Sequence, residues 1–112
     1  MSLDVYLMAK PINQDDNDCL YSANITHNLN DMARFVGIYK HLWRPEELNI
    51  TQAKELIEPL HAGFLKLLYK AEDCKKFNPE NDWGDYDWLF SFVKNYLQAC
   101  MDYPEAYIEV DR

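Results

Sequence analysis

The chain is poor in the residue groupings that most often announce a reaction. It has three glycines, dispersed along 112 residues, so it contains neither a glycine-rich phosphate loop nor a nucleophile elbow. Its three cysteines, Cys19, Cys74 and Cys100, are odd in number and widely spaced, which argues against a disulfide framework and against a zinc motif and fits a reducing cytoplasm. No run of residues is long and apolar enough to span a bilayer, and Met1 to Val5 lacks a basic flank, so neither export nor membrane insertion is expected. Positive charge is also scarce. Eleven lysines and arginines stand against nineteen acids, a formal net charge of −8, which opposes nonspecific binding to nucleic acid or to anionic lipid and makes basic protein surfaces the better partners.

What is present is a core. An apolar fraction of 48% with 14% aromatic residues is too high for a disordered tail, and the length suits one domain over residues 1–112. Leu3, Val5 and Leu7 alternate with Asp4, Tyr6 and Met8, the period of a half-buried strand that Pro11 stops. Residues 13–18 are polar and acidic without a hydrophobic period and read as a solvated loop. Residues 19–25 fit a short second strand, and residues 107–110 a final one. Between them the period is helical. Asn28 and Asp31 cap a run carrying Met32, Phe35, Val36, Tyr39, Leu42 and Trp43, weakened by Gly37. Thr51 caps a second helix facing inward through Ala53, Leu56, Ile57, Leu60, Phe64, Leu67, Leu68 and Ala71, with Pro59 forcing a kink or a start nearby. A third helix begins near Trp83, after Asp82, and turns Tyr86, Leu89, Phe90, Val93, Leu97, Cys100 and Met101 to one side. The expected fold is α+β: a small antiparallel sheet of the terminal strands, joined by residues 19–25, under about three helices.

That third helix has a second apolar stripe through Trp88, Phe92, Tyr96, Ala99 and Tyr103. Either the helix is central and wrapped on most sides, or Trp88, Phe92 and Tyr96 form an interface with another subunit or a partner; a dimer is the expected oligomer, through this stripe or through an exposed sheet edge. Two further places set polar groups beside aromatics at element starts: Asn24, Thr26 and Asn28 in one, and Trp83, Gly84, Asp85 and Tyr86 in the other. Such loops can offer an aromatic plane, acceptors and amides to a small planar ligand, or they can simply cap helices. The histidines, at 27, 41 and 61, have no metal-ligand spacing, and no cofactor is implied.

The spacing of Asn24-Ile25-Thr26-x-Asn28, then Leu42-Trp43-Arg44-Pro45-Glu46-Glu47, then Asn78-Pro79-x-Asn81-x-Trp83-Gly84-Asp85-Tyr86, and then Cys100 before the last strand, resembles a family of small uncharacterised proteins encoded by bacteriophages and prophages. The likeness covers most of the chain and departs at Asp82, where related sequences often carry glycine. It implies a bacterial host cell and no established activity. The resulting expectation is an accessory binding protein, of the counter-defence kind, that captures a host protein or a small nucleotide-like ligand without turnover. An enzyme would instead require His27, His61 and an aspartate to converge, with or without a metal. An acidic DNA mimic is a further alternative, weakened because the eleven basic residues are interspersed among the acids.

Overall fold

The computed structural model describes residues 1–11, 13–79 and 85–112. Three strands form one antiparallel sheet: β1 (Ser2–Met8) runs down the centre, flanked by β2 (Cys19–Thr26) and β3 (Tyr107–Asp111). The alternation of β1 sets the two faces. Leu3, Val5 and Leu7 are fully buried against the helices, while Asp4, Tyr6 and Met8 are half-exposed on the opposite side. Cross-strand partners follow the same pleat, with Ile25 and Ile108 inward and Asn24, Glu109 and Asp111 outward in register with them. Each buried aliphatic side chain contributes roughly 1.5–3 kcal/mol. A one-residue slip of β1 would expose three of them at once.

The first helical stretch is broken, and Gly37 is the cause. A 3₁₀ turn over His27–Leu29 leads into α1 (Asn30–Phe35), the chain then passes Gly37 at φ +82, and α2 (Tyr39–Trp43) starts afresh. A positive φ ends a helix, and glycine adopts it without a Cβ penalty. The first amides are capped by Thr26 and not by Asn28: the Thr26 hydroxyl accepts from the Asn28 N–H at 3.3 Å.

Pro59 falls in the first turn of α3 (Ile57–Tyr69), where its missing N–H has no acceptor to lose. A 3₁₀ turn, Ala53–Leu56, precedes it, with Gln52 rather than Thr51 at the cap position; the Glu55 carboxylate accepts from the Gln52 N–H at 3.1 Å and from the Thr51 N–H at 3.3 Å. Inside α3, Gly63 permits a close approach to Ile38, since a Cβ there would lie 2.5 Å from Ile38 Cγ2. Leu68, expected inward, is 48% exposed.

After the short α4 (Ala71–Lys75), the last helix, α5 (Tyr86–Asp102), lies between the sheet and α3. Phe90 of α5 meets Phe64 of α3 at 5.1 Å, while Tyr96 stacks on Tyr21 of β2 at 6.0 Å. Being wrapped on two sides, α5 buries Phe92, Tyr96 and Ala99 together with Leu89, Val93, Leu97 and Cys100, and leaves Met101 largely outside. The second stripe is therefore core over most of its length. Of the interface expected at Trp88, Phe92 and Tyr96, only Trp88 remains exposed; Tyr96 is covered by Tyr21 of β2, and Phe92 is buried beside Tyr96.

Candidate functional site

The two groups of residues singled out in the sequence lie toward the same end of the molecule. β2 and α5 run antiparallel, since Tyr21, near the start of β2, stacks on Tyr96, in the second half of α5, and α5 feeds β3 at Tyr107, opposite Met8. The Thr26 end of β2 and the Asp85 end of α5 therefore point the same way. Among the described residues no hydrogen bond joins the two groups, and each side chain has local work. Asn24 donates its amide to Asp4 Oδ1 at 2.7 Å and to the Ser2 hydroxyl at 2.8 Å on the open face of the sheet. Asp85 caps α5, accepting from the Trp88 N–H at 3.0 Å. Tyr86 is buried, its hydroxyl donating to the Leu67 carbonyl at the end of α3 and its N–H to Asn78 Oδ1. Asn28 is exposed. Trp83 and Gly84, with Asp82, lie outside the described residues.

The histidines have separate surroundings. His27 Nδ1 accepts from the Trp43 indole N–H at 2.7 Å, and Trp43 in turn stacks on Tyr39, whose ring also carries the Arg34 guanidinium 4.0 Å from its centroid. Such a chain of contacts fixes the α1–α2 corner against the sheet. His41 is half-buried with Nδ1 unpartnered among the described residues, and burial lowers its pKa. His61 is on the exposed side of α3. No group of three His, Cys, Asp or Glu side chains among the described residues is placed to hold a metal ion, and no helix among them is long and apolar enough to cross a membrane.

A concavity lies elsewhere, along the outer edge of β3. It is a cleft of about 770 Å³ lined by Tyr107, Ile108, Glu109 and Val110 on one side, by Pro45, Glu46, Asn49, Ile50 and Thr51 on the other, and by Pro11 and Arg112. Residues from both faces of the strand line it, so it runs along the strand and not across one side. The backbone of β3 is half free there. Thr51 O accepts from the Ile108 N–H at 2.9 Å and the Ala53 N–H donates to Ala106 O at 2.9 Å, which fixes Ala106 and Ile108 as outward-facing and, by the two-residue period, Val110 as well. Beyond Thr51 nothing among the described residues continues the pairing. The Ile108 carbonyl and both backbone groups of Val110 face the cleft with no partner among the described residues.

A latch shapes the end of this cleft. Arg112 Nη1 donates to the Trp43 carbonyl at 2.7 Å and to Glu46 at 2.8 and 3.0 Å, tying the end of β3 to the turn after α2. That turn is a 3₁₀ segment, Pro45–Leu48, whose exit at Asn49 is left-handed (φ 56) and sends Ile50 and Thr51 back alongside β3. The last strand and the Trp43 to Glu47 motif are each legible in the sequence, but their pairing depends on contacts between residues some sixty positions apart, of which the sequence carries no local sign.

Chemically the cleft offers unpaired amide and carbonyl groups, aliphatic walls at Pro45, Ile50 and Val110, and charges at its rim. Compared with known proteins, the chain matches no family model, no curated protein and no solved structure.

Proposed function

We propose that this protein is a binding module that captures another protein, without turnover, by accepting an extended segment of it along β3. The observation that carries the reading is the open edge: the Ile108 carbonyl and the Val110 N–H and carbonyl, without a partner among the described residues, face a cleft with apolar walls. Exposed strand edges are templates for pairing, and extended peptides bind to them through main-chain hydrogen bonds, with flanking pockets supplying selectivity. Short 3₁₀ segments and the Arg112–Glu46 latch hold the far wall in position, which lowers the ordering cost of binding.

The resemblance to phage-encoded proteins makes a bacterial host protein the first partner to seek, and a counter-defence role is the corresponding proposal. The test is capture from a bacterial lysate by the wild type beside Val110→Pro. Proline at this position removes an outward-facing N–H while leaving the β1–β3 ladder intact. A protein retained by the wild type and lost by a folded Val110→Pro supports edge capture. Equal retention by both places the partner on another surface and refutes the reading.

A further inference from the structure

The pleat of β3 specifies which side chains a fourth strand would meet. Tyr107, Glu109 and Asp111 lie on the open face, Ile108 and Val110 on the helix side. On the open face Asp111 is in register with Asp4, and Glu109 with Tyr6. None of Asp4, Glu109 and Asp111 makes an ion pair among the described residues, whereas most other charged pairs near this end, such as Arg112 with Glu46 and Arg44 with Glu47, are satisfied. The outward-facing positions of all three strands carry no lysine or arginine. The three acids also push the phenol pKa of Tyr6 upward, Asp4 most strongly, as expected if they share one uncompensated field. Behind the strand the chemistry reverses: the wall beside Val110 is Pro45 and Ile50.

Resting on the strand-capture reading above, we infer that the occupant is an extended segment alternating basic with apolar residues, its lysines or arginines beside Glu109 and Asp111 and its apolar side chains against Val110, Ile50 and Pro45. Residues directly opposite each other in neighbouring strands share a face, and opposite charges there attract while like charges repel. The same rule disfavours a second copy of this chain. Because the Ala106 carbonyl and the Ile108 N–H are already engaged by the 51–53 segment, a symmetric β3–β3 pairing must centre near Val110. Every register there that joins outward-facing backbone sets Glu109 or Asp111 of one copy opposite Glu109 or Asp111 of the other. A foreign basic strand meets no such repulsion.

Three soluble ten-residue peptides test this by fluorescence anisotropy: alternating lysine and valine, alternating glutamate and valine, and the lysine–valine peptide N-methylated at alternate amides. The lysine–valine peptide should bind at least ten-fold more tightly than the other two. Glu109→Lys/Asp111→Lys, both surface positions, should invert the preference toward the glutamate peptide while circular dichroism stays unchanged. Equal affinity of the lysine and glutamate peptides, each lost in Val110→Pro, would overturn the charge pattern but leave strand capture standing. Lysine–valine binding that survives both N-methylation and Val110→Pro would show attraction to acidic surface alone and overturn the inference, as would no binding of any peptide.

Discussion

Replacing Tyr96 by phenylalanine should stabilise the protein. Tyr96 is fully buried, stacked on Tyr21 with an interplanar angle of 9° and meeting Phe92 edge-on at 5.8 Å, yet its hydroxyl has no hydrogen-bond partner among the described residues. In the unfolded chain that hydroxyl is hydrated, and an unpaired buried polar group costs roughly 1–3 kcal/mol. Removing it leaves a void the size of one oxygen, worth a few tenths of a kcal/mol at about 24 cal/mol per Å³. Tyr96→Phe should therefore gain about 1 kcal/mol, or roughly 3–6 °C in Tm for a domain of this size. The alkaline limb carries a second signature. Burial, with Cys100 and Tyr21 adding to it, holds the Tyr96 phenol well above its ordinary value, and burial pushes the Cys100 thiol up to about 12. Both groups keep in the folded state protons that the unfolded chain releases, so their stabilisation is complete at neutral pH and declines above the unfolded values of about 8.5 for cysteine and about 10 for tyrosine. Tyr96→Phe should flatten the decline above about pH 10 and leave the earlier, cysteine part. Urea unfolding across pH measures both effects. A variant destabilised by 1 kcal/mol or more would refute the orphaned hydroxyl.

Other expectations follow from local geometry. Gly63→Ala should cost about 1–3 kcal/mol by forcing a Cβ against Ile38, and Ile38→Ala in the same chain should recover part of that loss, a coupling read from a double-mutant cycle. Asp85→Ala should cost about 1 kcal/mol through the lost α5 cap while Asp85→Asn retains most of it, so thermal melts separate capping from any role of the charge. Thr26→Val should lose a comparable amount at the 3₁₀ turn, visible as a lower Tm with an unchanged fold. Leu60→Ala, in a fully buried position, should cost roughly 2–5 kcal/mol in denaturant unfolding.

The strands were legible because their signal is local. Leu3, Val5 and Leu7 alternate within seven residues and Pro11 ends the run, so β1 could be expected as observed. The inward stripe of α3 was legible for the same reason, apart from Leu68. Three-body contacts were not. Whether Phe92 and Tyr96 faced a partner or the sheet depended on how α5 sits between β2 and α3, and that is set by the Tyr21–Tyr96 and Phe64–Phe90 pairs, which no periodicity encodes. Caps shifted by one or two residues, from Asn28 to Thr26 and from Thr51 to Gln52, since neighbouring polar residues compete for the same amides. Thr51 was drawn away by its backbone pairing to Ile108. The cleft itself was the least legible feature, being made by the left-handed exit at Asn49 and by an arginine at the far end of the chain.

Amide hydrogen exchange at Val110 tests the open edge most directly. In the free protein the Val110 N–H should exchange rapidly while that of Glu109, facing β1, is protected, and the captured partner should protect Val110 without altering Glu109. Slow exchange at Val110 in the free protein, or no change there when the partner is bound, would contradict capture along β3.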